Sequence, residues 1–524
     1  MRSTPRTTAP RSTPAPTEPR PSGAEGSGAP RLRGAPETRA ATLWALSLGV
    51  VATALALVAG SVYDLWYDEA ASISAATRSW FDFARLLGVV DAVHALHYTV
   101  SRLSLEVLGV SAFALRLPSA LAVGATTALL VPLGARLSGR SGSPLRSGVL
   151  AALVFLALPR TLWIGAEGRG FALAALAVTA LTLVLLIARE QRSRRWWIAY
   201  AALAAAAVGF FAYSAIVVIG HALFVLLRGP GAHPAGRLRF VVAACAGAVA
   251  VSPLALLAVR QRGQLSWLPP INPGTFGEVL AGQWFGGGLS WPVPEAARWT
   301  AVLLLAALLS GAVVLLRRRD GSAALLLPML VLPTALVLLA SLRTPLYTGR
   351  YLTFCLPFVA LAIAAGIAAL PRLPLRVAAV AVVVALGLGA LAANVAAPHP
   401  SPWSRAAAWI AEDRADAPAA VLHGRLDYPA GFRTDVIATA YPEAFAGLED
   451  PTFERSAAET AWLWDERVPL DEGPARLGDV DRVYLLGAEQ PGELDGVLAR
   501  LAEQGWQQTA VLEGDRVVVR RFER

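Results

Sequence analysis

Residues 196–227 read WWIAYAALAAAAVGFFAYSAIVVIGHALFVLL, 32 positions without an acid or an arginine. A bilayer crossing takes roughly 20 apolar residues, so the stretch is long for one crossing and tight for two. The decision fixes the membrane orientation of everything that follows it. Arginine arbitrates, because cytoplasmic loops carry the positive excess. With two crossings, broken at Gly209–Ser214 (GFFAYS), one side receives the N-terminal tail, Arg136/Arg140/Arg146, Arg189/Arg192/Arg194/Arg195, Arg228/Arg237/Arg239, Arg317/Arg318/Arg319 and Arg372/Arg376. The short opposite loops hold only Arg160/Arg169, Arg260/Arg262 and Arg343/Arg350. A single crossing would put the Arg317–Arg319 cluster outside. Two crossings therefore predict a cytoplasmic N-terminus and an extracytoplasmic C-terminus.

Working outward, the chain of 524 residues is 55% hydrophobic with mean hydropathy +0.52, too apolar for a soluble protein of this size. Further apolar runs near 42–62, 117–135, 146–159, 170–188, 240–259, 299–316, 322–342, 351–371 and 377–397 bring the expected crossings to eleven. The predicted fold class is an all-α polytopic membrane protein with a small C-terminal extracytoplasmic α/β domain. Residues 1–40 are rich in Pro, Thr, Ser, Gly and Arg and cannot bury enough surface to order themselves, which predicts a disordered cytoplasmic tail. The apolar run that follows starts too late and is too long for a cleaved signal, so it is expected to stay as an anchor. The membrane domain is placed at 41–397.

Charge divides the chain. Residues 401–524 contain 23 acids and 13 arginines, and the remainder 14 acids and 33 arginines, giving the net +9. Membrane orientation and headgroup contact explain the basic part, so nucleic acid is not implied. The absence of lysine, with abundant Ala, Arg and Gly, suggests a GC-rich bacterial genome and hence a bacterial plasma (inner) membrane protein. Cys245 and Cys355 lie in separate apolar segments and offer neither a disulfide framework nor a cysteine zinc site.

Two loops on the outer side are substantial. In 63–116, Trp80–Gly88 and His94–Leu108 carry apolar residues at helical spacing, which predicts short amphipathic helices lying in the interface. In 260–298, prolines and glycines preclude a long helix, and Trp267, Trp284 and Phe285 suit headgroup level, either as a belt or as a lid over a site. Beyond 397 hydropathy collapses. A helix at 404–414, buried strands AAVLH (419–423) and RVYLL (482–486), a helix at 491–504 and a closing hairpin make up the α/β domain of 398–524. Its separate composition predicts that truncation before Trp403 leaves the membrane core folded and donor binding intact.

The residues with chemistry gather on the outer side. Asp68 and Glu69 sit side by side just past the first crossing, where carboxylates cost desolvation energy and mark function. Asp91, His94, His97, Glu167, Arg169 and Arg350 fall on the same side. Taken singly, Glu167–Arg169 reads as a loop ion pair and Arg350 as a snorkelling arginine. His94 and His97 at i, i+3 share a helix face, as a polar stripe or as ligands compatible with a divalent metal. No Walker A sequence occurs, and the single GxGxxA match, Gly387–Ala392, lies inside the last apolar helix as a packing feature.

In order, WYDEA (66–70), DAVHALHY (91–98), LRLPSALAVG (115–124), LPRTLWIGAEGRGFAL (158–173) and RYLTFCLPFVALAIAAG (350–366) resemble the polytopic GT-C glycosyltransferases of the family 39-like group. That group includes protein O-mannosyltransferases, the lipid A aminoarabinose transferase and actinobacterial mannosyltransferase-like proteins. The resemblance covers roughly 60–370. It implies a polyprenyl-phosphate-linked sugar donor, mannose by preference, and an extracytoplasmic glycan, lipid or protein acceptor. It also implies Asp68 as catalytic base with Glu69 as its partner, Glu167 and Arg169 as the second outer-loop element, and Arg350–Tyr351 near the lipid phosphate. Many relatives carry an aromatic or Pro-Leu-Tyr-Tyr stretch where this chain has Ala95-Leu96-His97-Tyr98. The chemistry fits independently: an acceptor hydroxyl needs a base and a departing phosphate needs cations. A transporter or flippase of lipid-linked sugars would show repeats and mid-membrane ionisable residues, and neither is evident. A non-catalytic relative whose tail recruits partners is the third reading.

Overall fold

The computed structural model describes residues 38–138, 143–191, 193–227, 234–286, 295–318, 321–396, 402–414, 417–426, 432–488, 493–514 and 516–524. Nearly all of the expected tail, 1–40, lies outside them. The membrane part begins with α1 (Thr38–Val62). The loop 63–116 then folds as α2 (Tyr67–Ala76), α3 (Trp80–Val89) and α4 (Ala95–Leu108), with a 3-10 turn at Ala92–His94. Both amphipathic helices expected there are present. They leave Trp80, Phe81, Leu103 and Val107 exposed, as helices in a membrane interface would.

The bundle continues with α5 (Ala112–Arg136), α6 (Pro144–Ala157), α7 (Pro159–Gly165), α8 (Phe171–Gln191), α9 (Arg194–Phe210), α10 (Ala215–Leu227) and α11 (Pro234–Arg260). After the short helices α12 (Pro273–Gly277) and α13 (Gln283–Phe285) come α14 (Glu295–Arg317), α15 (Ser322–Ser341), α16 (Leu356–Ala368) and α17 (Leu373–Ala396). All eleven expected apolar segments are helical. Eight helices among the described residues are long and apolar enough to cross alone, and α6 with α7, bent by 73°, makes up to nine. The bend follows Leu158, whose extended backbone precedes Pro159.

The break in 196–227 falls inside the expected hexapeptide, at Phe211, whose backbone is extended (φ −157°, ψ 115°). On the far side of the break the chain turns back. The Phe210 carbonyl lies beside Gly170 at the start of α8, whereas Phe224 sits under Arg189 near its end, 4.9 Å away. With 17 and 13 residues, α9 and α10 are each shorter than a free-standing crossing, because 32 residues of helix span only about 48 Å for two passages. His221 is buried between them, with Nδ1 3.0 Å from Tyr200 Oη and Nε2 3.1 Å from Thr182 Oγ1. The bundle interior thus holds an ionisable side chain, contrary to the sequence reading, though one bonded at both nitrogens.

Small residues let the helices close up, as lipid-embedded packing requires: Gly49 of α1 faces Gly124 of α5, and Gly387 of α17 lies against the Ala157 carbonyl of α6. The second contact confirms the packing role of the GxGxxA stretch. Trp284 and Phe285, expected at headgroup level, are instead buried in the core.

The C-terminal part comprises α18 (Trp403–Asp413), β1 (Ala419–His423), α19 (Asp435–Ala440), α20 (Pro442–Phe445), β2 (Phe453–Arg455), β3 (Glu466–Arg467), β4 (Arg482–Gly487), α21 (Glu493–Glu503), β5 (Gln507–Leu512) and β6 (Val518–Glu523). The main sheet has order β1-β4-β6-β5. β1 and β4 are parallel, with Val421 opposite Tyr484, and β5 and β6 form the expected hairpin. Period-2 alternation divides β4 between two cores. Val483 and Leu485 meet Val497 and Leu501 of α21, while Tyr484 and Leu486 join Trp403 and Ile410 of α18.

That second core does not stop at the domain boundary. It runs on through Ile437 and Ala440 of α19 to Ala70 and Ile73 of α2 and Leu115 of α5. Polar contacts reinforce the junction. Trp464 Nε1 donates to Tyr67 Oη (2.7 Å), Ser74 Oγ to the Leu463 carbonyl (2.5 Å), and Arg78 to the Ala457 and Trp462 carbonyls. The Tyr67 ring stacks on Phe432 at 3.7 Å. The tail is separate in composition but not in packing.

Candidate active site

Three segments build the site: the first turn of α2, the loop 166–170 between α7 and α8, and the turn Gly349–Cys355 that leads into α16. Loop 166–170 lies so tightly over α5 that a side chain at Gly168 would strike Leu115. Gly168 N donates to Glu69 Oε1 (2.7 Å), and its carbonyl accepts from Ser72 Oγ (3.2 Å). The loop is thereby fixed to α2.

The two neighbouring acids have different fates. Glu69 is fully buried and grips Arg116 with both oxygens, Nε–Oε1 2.7 Å and Nη2–Oε2 2.5 Å. Arg116 also donates to the Gly60, Tyr63 and Asp64 carbonyls, tying the end of α1 to α2. Asp68 remains accessible, with its side chain 24% exposed. Its Oδ2 lies 4.0 Å from Arg169 Nε and 3.9 Å from Arg350 Nη1. These separations exceed hydrogen-bond reach, so the carboxylate is flanked by cations without being sealed by them.

Arg169 is anchored elsewhere. Nη1 donates to the Asp68 carbonyl (3.1 Å) and to Ser72 Oγ (3.3 Å), and Nη2 lies 2.9 Å from His94 Nε2. Burial and Arg169 hold the His94 pKa well below its usual value, so His94 is neutral and accepts at Nε2. Burial likewise lowers His97 to about 3; its Nε2 donates to the Gly168 carbonyl (2.8 Å). Each histidine therefore serves a local protein contact. Among the described residues no group of three or more His, Cys, Asp or Glu side chains is placed to hold a metal ion.

Asp91 occupies the left-handed region (φ 59°), which short polar residues tolerate. Tyr98 Oη donates to it at 2.6 Å, and burial raises its pKa. Glu167 accepts from Trp66 Nε1 (3.0 Å); burial first, then the charge of Glu69, pushes its pKa up to about 8. The expected Glu167–Arg169 loop ion pair is not formed. Glu167 turns to Trp66, and Arg169 to Asp68 and His94.

Arg350 is framed by rings. Trp267, Trp66 and Tyr351 lie 5.1, 5.5 and 5.8 Å from its guanidinium carbon. Cation–π attraction of this kind holds a guanidinium without neutralising it. Tyr351 in turn meets Phe211 and Tyr213 edge-on at 5.4 and 5.9 Å, so the break in 196–227 supplies the wall behind the site. Sequence reading passed over Arg116 and Trp66. Arg116, a lone charge one turn into an apolar helix, was the available signal; Trp66 offered none beyond adjacency.

Residues 95–257 match the family model for dolichyl-phosphate-mannose-protein mannosyltransferases. Among solved structures, ArnT from Cupriavidus metallidurans matches with a TM-score of 0.57 and 14% identity, over 92% of this chain and 98% of that one. It was solved bound to undecaprenyl phosphate and also in the apo state. The archaeal oligosaccharyltransferase AglB from Archaeoglobus fulgidus gives a TM-score of 0.45 at 10% identity, over 84% of this chain and 69% of that one. No curated protein shows significant sequence similarity. The chain shares the fold of ArnT, and the family match falls on the part of it that runs from α4 into α11.

Proposed function

We propose that the chain transfers a sugar, mannose by preference, from a polyprenyl-phosphate carrier to an extracytoplasmic acceptor. Asp68 acts as base, and Arg350 with Arg169 receives the phosphate. The observation that carries the reading is Asp68 itself: an accessible carboxylate with two arginines 3.9–4.0 Å from one oxygen. A base needs an open oxygen facing its proton donor, and a leaving phosphate needs fixed positive charge close by.

The acceptor oxygen attacks the anomeric carbon, the bond from that carbon to the phosphate oxygen breaks, and the phosphate keeps the electron pair. Arg350 offers a planar fork that suits the phosphate oxygens, and Asp68 takes the acceptor proton. Glu69 holds α2 in place through Arg116. In this reading the protein lies in a bacterial plasma membrane with the site and the C-terminal domain outside. No divalent metal is assigned, since His94 and His97 are committed to Arg169 and Gly168.

The test is transfer of radiolabel from a polyprenyl-phosphate mannose by purified full-length protein, beside the Asp68→Asn variant. Label moved by the parent and not by the variant supports the proposal. Lipid-linked sugar crossing proteoliposomes without transfer would favour a flippase instead.

A further inference from the structure

A large cavity lies at the end of the bundle opposite Asp68, and the proposed transfer makes no use of it. It has a volume of about 1360 Å³, above the range of roughly 300–1,000 Å³ usual for small-molecule clefts. Helix divergence creates it. α17 lies against α6 at Gly387 and Ala157, so close that no side chain fits between them. Toward its N-terminal end α17 leaves α6, and the wedge opens between Leu145–Leu153 on one wall and Leu373–Val384 on the other. At 1.5 Å per residue these walls are roughly 12 and 17 Å deep.

The wedge is apolar inside and cationic at its mouth. Val149, Leu153, Val377, Val380 and Val384 line the depth, Trp44 of α1 closes one flank, and Arg146, Arg318 and Arg376 come from three separate segments. Among the described residues no lining side chain is acidic. Arg376 donates Nε to the Leu370 carbonyl at 2.8 Å, which fixes its guanidinium at the mouth. A soluble anion would satisfy the arginines but leave the walls wet, and a plain hydrocarbon chain would leave the arginines uncompensated.

We infer that this wedge is a binding site for one anionic glycerophospholipid of the leaflet opposite the transfer site, its phosphate held by Arg146, Arg318 and Arg376 and an acyl chain lying between α6 and α17. Guanidinium forks favour phosphate over other headgroup atoms. Three cations converging on one mouth, without an acid among the described lining residues, favour a net-negative headgroup over a zwitterionic one.

Native mass spectrometry of the full-length protein in detergent, titrated with phosphatidylglycerol or phosphatidylcholine, tests this. Retention of phosphatidylglycerol is expected to exceed that of phosphatidylcholine by about tenfold or more. The preference should vanish in the combined variant Arg146→Gln, Arg318→Gln, Arg376→Gln while sugar transfer persists. Equal retention of both lipids, or a preference that survives in the variant, overturns the site. If the variant does not fold, chain-brominated phosphatidylglycerol still decides the matter in the parent protein. It should quench a component of tryptophan fluorescence that is missing from Trp44→Phe, and identical quenching in both proteins overturns the site. Inorganic phosphate should not displace the lipid at equal concentration; if it does, the apolar walls play no part and the lipid assignment fails.

Discussion

Glu69 and Arg116 form a two-pronged ion pair, 2.5 and 2.7 Å, with their side chains 0% and 4% exposed. It takes one acid of the adjacent pair out of reach of substrate and leaves Asp68 alone at the surface of the site. Desolvating two charges is costly, and removing one partner of such a pair is costlier still, because the other is then stranded. Glu69→Gln is therefore expected to destabilise the protein by about 3–5 kcal/mol, read as a lowered thermal transition in detergent. Asp68→Asn should unfold like the parent and turn over about 10²–10⁴ times more slowly. The opposite pattern, a stable but inactive Glu69→Gln, would move the base to Glu69.

Arg350 is expected to act on binding and chemistry together. Arg350→Ala removes charge-assisted hydrogen bonds worth about 1.5–3 kcal/mol each, so steady-state kinetics should show KM rising and kcat falling. Arg350→Lys keeps the charge but loses the planar fork and the stacking on Trp267 and Trp66, and should recover only part of the loss. Full recovery with lysine would show that charge alone matters.

Glu167 gives the folded state a pH dependence. Its pKa is pushed from 4.5 up to about 8 by burial, so between those values the folded protein binds more protons than the unfolded chain. Stability is then present at low pH and falls as pH rises through about 4.5 to 8. Glu167→Gln imitates the protonated acid and still accepts from Trp66 Nε1. Thermal unfolding from pH 5.5 to 8.5 (roughly the upper part of that window) should slope downward in the parent and flatten in the variant. Parallel slopes would mean that Glu167 is not the group responsible.

The C-terminal part is expected to be required for activity. Trp464 and Phe432 hold Tyr67, the residue before Asp68, and Ile437 shares a core with Ile73. Truncation before Trp403 strips that surface from α2 and should abolish transfer. Trp464→Phe is the gentler probe. It keeps an aromatic ring but deletes the donor to Tyr67 Oη, a loss of about 0.5–1.5 kcal/mol, and kcat should fall with little change in KM. Undiminished transfer by the truncated protein would sink this coupling.

The sequence by itself determined the apolar helices, the break at Gly209–Ser214, the change of character near 397 and the strands of the small sheet. Each follows from local composition and period: apolar run length for helices, period-2 alternation for β4, a hexapeptide that interrupts an otherwise uniform stretch. It also assembled Asp68, Arg169 and Arg350 on one side of the membrane through the distribution of arginine. Only the tertiary structure decided which of two adjacent carboxylates stays open. Asp68 and Glu69 are one position apart on α2, about 100° around a helix of 3.6 residues per turn, so one faces the cleft and the other meets Arg116 from α5. Pairing across 47 residues leaves no local trace. The same holds for Trp267 over Arg350 and for Phe432 on Tyr67, because contacts between distant segments depend on where whole helices come to rest, and no periodicity in either segment encodes that.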